Sequence, residues 1–112
     1  PNTTYDYSNM GTALAGYLVE VISGIPFSEF CNNNIFDEIC MTNTSWYLAD
    51  FDTTNVARPY KWQAGQYVPY NHYGFADYPN VQLRSNITDM ANFAITYLQN
   101  GSFNSQQILN ST

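Results

Sequence analysis

Cationic side chains are scarce in this sequence. Arg58, Lys61 and Arg84 are its only basic residues against nine acids, for a formal charge of -6. A nucleic-acid surface needs clustered Lys and Arg to displace counterions, so no nucleic acid is expected as a partner. Long apolar runs are also missing: none approaches the ~18 residues of a membrane span. The single histidine, His72, cannot supply a paired-histidine metal motif, and among its aromatic neighbours it reads as a structural or rim residue. Cys31 and Cys40, nine apart, form no C-x-x-C and no His-paired pattern, which argues against zinc. Their spacing allows either a bridge or two unbridged, buried thiols, and the second is the expectation. The sequence has no G-x-S-x-G, no Walker loop and no G-x-G-x-x-G, and its carboxylates are too scattered to argue for a glycosidase pair. No cofactor is expected.

What is present suits a packed core: 45% of residues are hydrophobic and 17% aromatic. A chain of 112 residues is one small domain or a piece of a larger one. Met10, Leu14, Tyr17, Leu18, Val21 and Ile22 recur at helical spacing, with Ser8 or Asn9 as N-cap and Gly24 as the stop. Pro26 suits the first position of a second helix over about 26–35 that buries Phe27, Phe30 and Cys31. A third helix is predicted from about Ser85 to Gln99, ended by Gly101, with Ile87, Met90, Ala91, Ala94, Tyr97 and Leu98 as its inner stripe. Between them, residues 50–84 hold no sustained period, apart from a small hairpin suggested by QYVPY next to Gly65. Three short helices cannot bury this much aromatic surface, which implies partner elements beyond the chain. Five N-x-S/T sequons, at Asn2, Asn43, Asn86, Asn100 and Asn110, point toward an extracytoplasmic protein, secreted or periplasmic.

The stretch YDYSNMG, residues 5–11, sets Tyr7 and Asn9 two apart at the mouth of the first helix. Taken alone, these residues fit a helix cap beside a core phenol. Their context is more specific. The run YDYSNMGTALAGYLVEVISGIPFSEFCNNNIFDEICMTNTSW resembles the β-lactamase-related serine hydrolases, which include class C β-lactamases, penicillin-binding D-Ala-D-Ala carboxypeptidases and related esterases. The resemblance rests on Tyr5, Tyr7-Ser8-Asn9, Gly11, Gly16, Ser23-Gly24 and the aromatic segment Phe27 to Phe30. It continues through Ile35-Phe36 to Met41 and Thr44, then through Leu83, Ser85, Asp89 and Phe93, and ends at the segment QQIL. Glu38 and Cys40 stand where the family has Pro and Gly, and Val81-Gln82 where it often has a Gly pair.

The resemblance implies an α+β fold of the β-lactamase/transpeptidase type, of which residues 1–112 form the mainly helical subdomain plus an irregular segment. It implies acyl-enzyme chemistry on an amide, β-lactam or ester, with a small molecule or short peptide as substrate. Tyr7 would act as the proton shuttle, and Asn9 would hold the catalytic Lys and the substrate. The family's Ser-x-x-Lys lies upstream of Tyr-x-Asn and its Lys-Thr-Gly or His-x-Gly downstream. The only lysine here is Lys61, with Arg58 three before it, so neither lysine motif is present. Residues 1–112 are therefore expected to be an internal part of one domain, incomplete at both ends and inactive alone. A catalytically inactive relative, serving as a peptide-binding or structural module, is the alternative. Oligomeric state has no signature in the sequence.

Overall fold

Helix α1, Asn9–Ser23, starts where Ser8 leaves the extended region and its Oγ accepts a 3.0 Å hydrogen bond from the Gly11 amide. It stops at Gly24, whose φ of 76° ends the helical run. This is a computed structural model, and it describes residues 4–110. The predicted second helix is divided: α2, Phe27–Cys31, has Pro26 as its N-cap and runs into a wider π-helical turn, Asn32–Phe36. The widening carries both Cys31 and Phe36 into the core. Phe27 and Phe30 are half-buried against that core.

The middle segment contains single 3-10 turns at Leu48–Asp50 and Thr53–Asn55, followed by an antiparallel hairpin. Strand β1, Tyr60–Gln63, pairs with β2, Gln66–Pro69, with Gln63 opposite Gln66. The two-residue connection, Ala64 and Gly65, has φ of 50° and 83°; two left-handed residues in sequence match the twist of a hairpin, and Gly65 adopts this at no steric cost. Helix α3, Ile87–Leu98, follows an Asn86 cap whose side chain accepts from the Asp89 amide at 2.8 Å. A second small hairpin, β3 (Ser102–Phe103) with β4 (Gln106–Gln107), closes the chain. The architecture is α+β.

The core gathers around Trp46. Phe36 stacks on its ring at 5.6 Å between centroids, and Phe27 meets it edge-on at 5.2 Å. Cys31, Ile39, Met41 and Phe103 complete the buried cluster. Ser45 and Arg84 exchange backbone hydrogen bonds of 3.0 and 2.9 Å, which tie the start of α3 to this core.

Two sequence expectations are corrected. The apolar stripe of α3 does not face inward: Ile87, Met90, Ala91, Ala94, Tyr97 and Leu98 are all exposed. The helix docks instead through a polar line. The Asp89 carboxylate accepts from the Asn43 amide and the Thr44 hydroxyl, both at 2.8 Å, and Asn92 Nδ2 donates to the Ile39 carbonyl at 3.0 Å. Asp89 and Thr96 are 2% and 3% exposed. Hydrogen bonds to a buried carboxylate are strong enough to orient a short helix against its apolar preference. The second correction concerns Cys40, which is exposed on a turn with φ of 57°, while Cys31 is buried. Neither thiol is bridged, and burial pushes the Cys31 thiol up to about 11.

Candidate active site

The approach to α1 sorts three successive polar residues by task. Ser8 alone caps the helix: its Oγ takes the Gly11 amide and its carbonyl takes the Thr12 amide at 3.3 Å. Tyr7 and Asn9, on either side of it, make no side-chain hydrogen bond among the described residues, and both are exposed, Tyr7 at 66%. A cap with a core phenol would have used the Asn9 amide and buried the Tyr7 ring. Instead, two polar groups project from a helical support that the Ser8 cap already holds.

The rest of α1 is braced from one side. Glu20 Oε1 accepts from the Phe27 amide at 2.8 Å and from the Tyr78 hydroxyl at 3.0 Å, linking α1 to the start of α2 and to the turn before α3. Burial, followed by this bond to Glu20, pushes the Tyr78 hydroxyl up to about 12, so it remains a donor at neutral pH. Next to this brace, Gly16 is buried with the Pro79 ring above it. A Cβ at residue 16 would lie 2.5 Å from Pro79 Cβ. The sequence reading missed the Glu20–Tyr78 link, which spans 58 residues and has no local signature.

His72 is half-buried in the coil after β2 and lines a cavity of about 860 Å³, together with Arg58 and Arg84. Neither Tyr7 nor Asn9 lines that cavity. His72-Tyr73-Gly74 spells His-x-Gly, but it lies ahead of α3, whereas the resemblance places that motif beyond the end of this chain. Among the described residues, no group of His, Cys, Asp and Glu could hold a metal ion.

With this geometry in view, the family follows from the sequence as a whole. The family model described as Beta-lactamase matches residues 1–112. The chain belongs to the beta-lactamase family. Its fold is similar to that of a solved structure, the octameric penicillin-binding protein homologue from Pyrococcus abyssi, with a TM-score of 0.79. Identity is 22% over 99% of this chain and 24% of that one, so the chain spans about a quarter of that protein's length. No curated protein matches the sequence. Family membership gives the exposed pair at the N-terminus of α1 a candidate role beyond capping.

Proposed function

We propose that the protein containing this chain is an extracytoplasmic serine hydrolase that works through an acyl-enzyme on an amide, β-lactam or ester. In this proposal Tyr7 is the proton shuttle. One observation carries the reading: in a chain that matches the beta-lactamase family throughout, Ser8 does the capping and leaves the side chains of Tyr7, just before α1, and Asn9, its first residue, without a hydrogen-bond partner among the described residues. A free phenol has a pKa near ~10 and is a weak base at neutral pH. Beside the ammonium of a Ser-x-x-Lys lysine, which the resemblance places upstream, its phenolate form is favoured. Tyr7 would then take the serine proton as the hydroxyl attacks the carbonyl, and pass it to the leaving group as the acyl-enzyme forms. Water then attacks the acyl-enzyme carbonyl, Tyr7 takes a proton from that water, and it passes the proton to the serine oxygen as the acyl–oxygen bond breaks and the acid leaves. Asn9, the first residue of α1 and two after Tyr7, would hydrogen-bond the lysine and the substrate carbonyl or amide.

The test is Tyr7→Phe in the full-length protein, with acylation by nitrocefin or a p-nitrophenyl ester followed alongside melting temperature. As the shuttle, Tyr7 should cost roughly 10²–10⁴ in rate when its hydroxyl is removed, with the fold unchanged. Tyr5→Phe is the control: Tyr5 is 87% exposed two residues away and should lose little. Equal rates for the two variants would reject the role. Absence of any acyl-enzyme in the wild type would favour an inactive, binding-only relative.

A further inference from the structure

The cavity beside the start of α3 has a volume of about 860 Å³, within the usual range of ligand pockets. It brings together two of the chain's three basic residues, Arg58 and Arg84, and its only histidine, His72. In a chain of net charge -6, that concentration of donors in one place is the opposite of what the overall composition leads one to expect. Two acids, Asp50 and Asp52, also line the cavity; one oxygen of Asp50 and both of Asp52 are engaged locally. The Asp50 carboxylate accepts from the Ser45 hydroxyl. Asp52 accepts from the Thr54 amide and hydroxyl at 3.0 and 2.7 Å and from Asn55 Nδ2 at 3.1 Å, and the Thr54 hydroxyl, then its amide, hold the carboxyl below the usual carboxylate range.

The arginines are committed differently. Arg84 spends only Nη1, on the Trp46 and Gln82 carbonyls at 2.9 and 3.2 Å, and this anchors the guanidinium while its other N–H groups stay unused among the described residues. Arg58 makes no hydrogen bond or ion pair among them. Phe51, Val56 and Leu83 supply apolar wall. The cavity therefore offers unmatched donors beside an apolar surface.

We propose that this cavity is a second binding site, for a small ligand that carries a carboxylate on an apolar arm, with Arg58 and Arg84 holding the carboxylate. Planar guanidinium forks match a carboxylate, and the bonds are charge-assisted. The proposal does not rest on the role given to Tyr7, since neither Tyr7 nor Asn9 borders the cavity.

The experiment is calorimetric titration of the full-length protein with 3-phenylpropionate and, separately, with the neutral isostere 3-phenylpropanamide. The carboxylate should bind saturably and the amide at least roughly tenfold more weakly. Arg58→Gln, which removes no bond among the described residues, should weaken the carboxylate by roughly 10- to 100-fold. Lys61→Gln, on β1 and outside the lining, should leave its affinity unchanged. A wild type that binds neither compound would overturn the proposal, as would equal affinity for acid and amide or an Arg58→Gln variant that binds as well as wild type. The acid-against-amide comparison needs only the wild type, so it decides even where a variant fails to fold.

Discussion

Isoleucines in this chain meet opposite fates: Ile39 beside Trp46 is 0% exposed, while Ile22 on α1 and Ile87 on α3 are 84% and 85% exposed. The neighbourhood of Trp46 is a closed core in miniature, built from residues 31–46 with Phe103 joining from β3. The outer faces of α1 and α3 are apolar stripes left exposed among the described residues. The contrast shows that helical periodicity reports which face is apolar, not which face this part of the molecule uses for docking. In α3 the two come apart, because Asp89 and Asn92 hold the helix to the core, with Thr96 buried on the same side, and leave its apolar stripe outward.

The sharpest way to break this comparison is on α3 itself. Asp89→Leu removes the buried carboxylate that accepts from the Asn43 amide and the Thr44 hydroxyl, and leaves that hydroxyl only Ser85 Oγ at 2.7 Å. At ~1.5–3 kcal/mol for a hydrogen bond to a charged group, a loss of about 3 kcal/mol is expected in urea unfolding. Ile87→Ala, two residues earlier on the exposed face, should change stability by less than about 0.5 kcal/mol. If the order were reversed, with the isoleucine costing more than the aspartate, the polar docking line would not be what holds α3.

Gly16 tests the same division on α1. The buried side of this helix is its small-residue side, where Pro79 sits over Gly16. Gly16→Ala puts a methyl 2.5 Å from Pro79 Cβ and 3.0 Å from Pro79 Cγ, and a forced contact of this kind costs about 1–3 kcal/mol. Gly11→Ala on the same helix meets only Ser8 atoms at 3.5 Å and should be neutral or stabilising through helix propensity. Melting temperatures of the two variants check this directly.

What the sequence made legible follows from how local each feature is. The limits of α1, the hairpin around Gly65 and the span of α3 depend on caps, turn residues and periodicity within a few positions, and these were readable. The division of the second helix at Asn32 was not, because the π-helical turn is set by the demand that Cys31 and Phe36 both reach the Trp46 cluster. The inward face of α3 was misread because its partners, the Asn43 amide and the Ile39 carbonyl, lie 46 and 53 residues away. At the candidate site, Tyr7 and Asn9 stood out only through their context; local chemistry alone favoured a cap. The division of labour between Ser8 and its neighbours required coordinates.

That division gives the next prediction. Ser8→Ala removes the side-chain acceptor of the Gly11 amide and should cost about 1 kcal/mol of stability. Asn9→Ala removes no bond in the described chain, so stability should move by less than about 0.5 kcal/mol. On the reading of Asn9 as a ligand of lysine and substrate, its turnover should nonetheless fall well below that of Ser8→Ala. A stability loss at Asn9 equal to that at Ser8 would make both of them caps.

The smallest effect within this chain is expected on the bare face of α1, and there the comparison can be put to the whole protein. Leu14 is 56% exposed, so Leu14→Gln in the isolated 112 residues should shift unfolding by no more than about 0.5 kcal/mol. The chain spans about a quarter of the structure it resembles, and an apolar stripe running the length of a helix is the kind of surface that other elements cover. If further elements of the full-length protein pack on α1, Leu14 is buried there, and the same substitution should cost about 1.5–3 kcal/mol, the value of burying a leucine side chain. The measurement is one substitution in two lengths of protein, each unfolded in urea against its own wild type. A small effect in both would mean that the face stays bare in the whole molecule, and that the contrast with the Trp46 core is a property of the protein and not of this part of it.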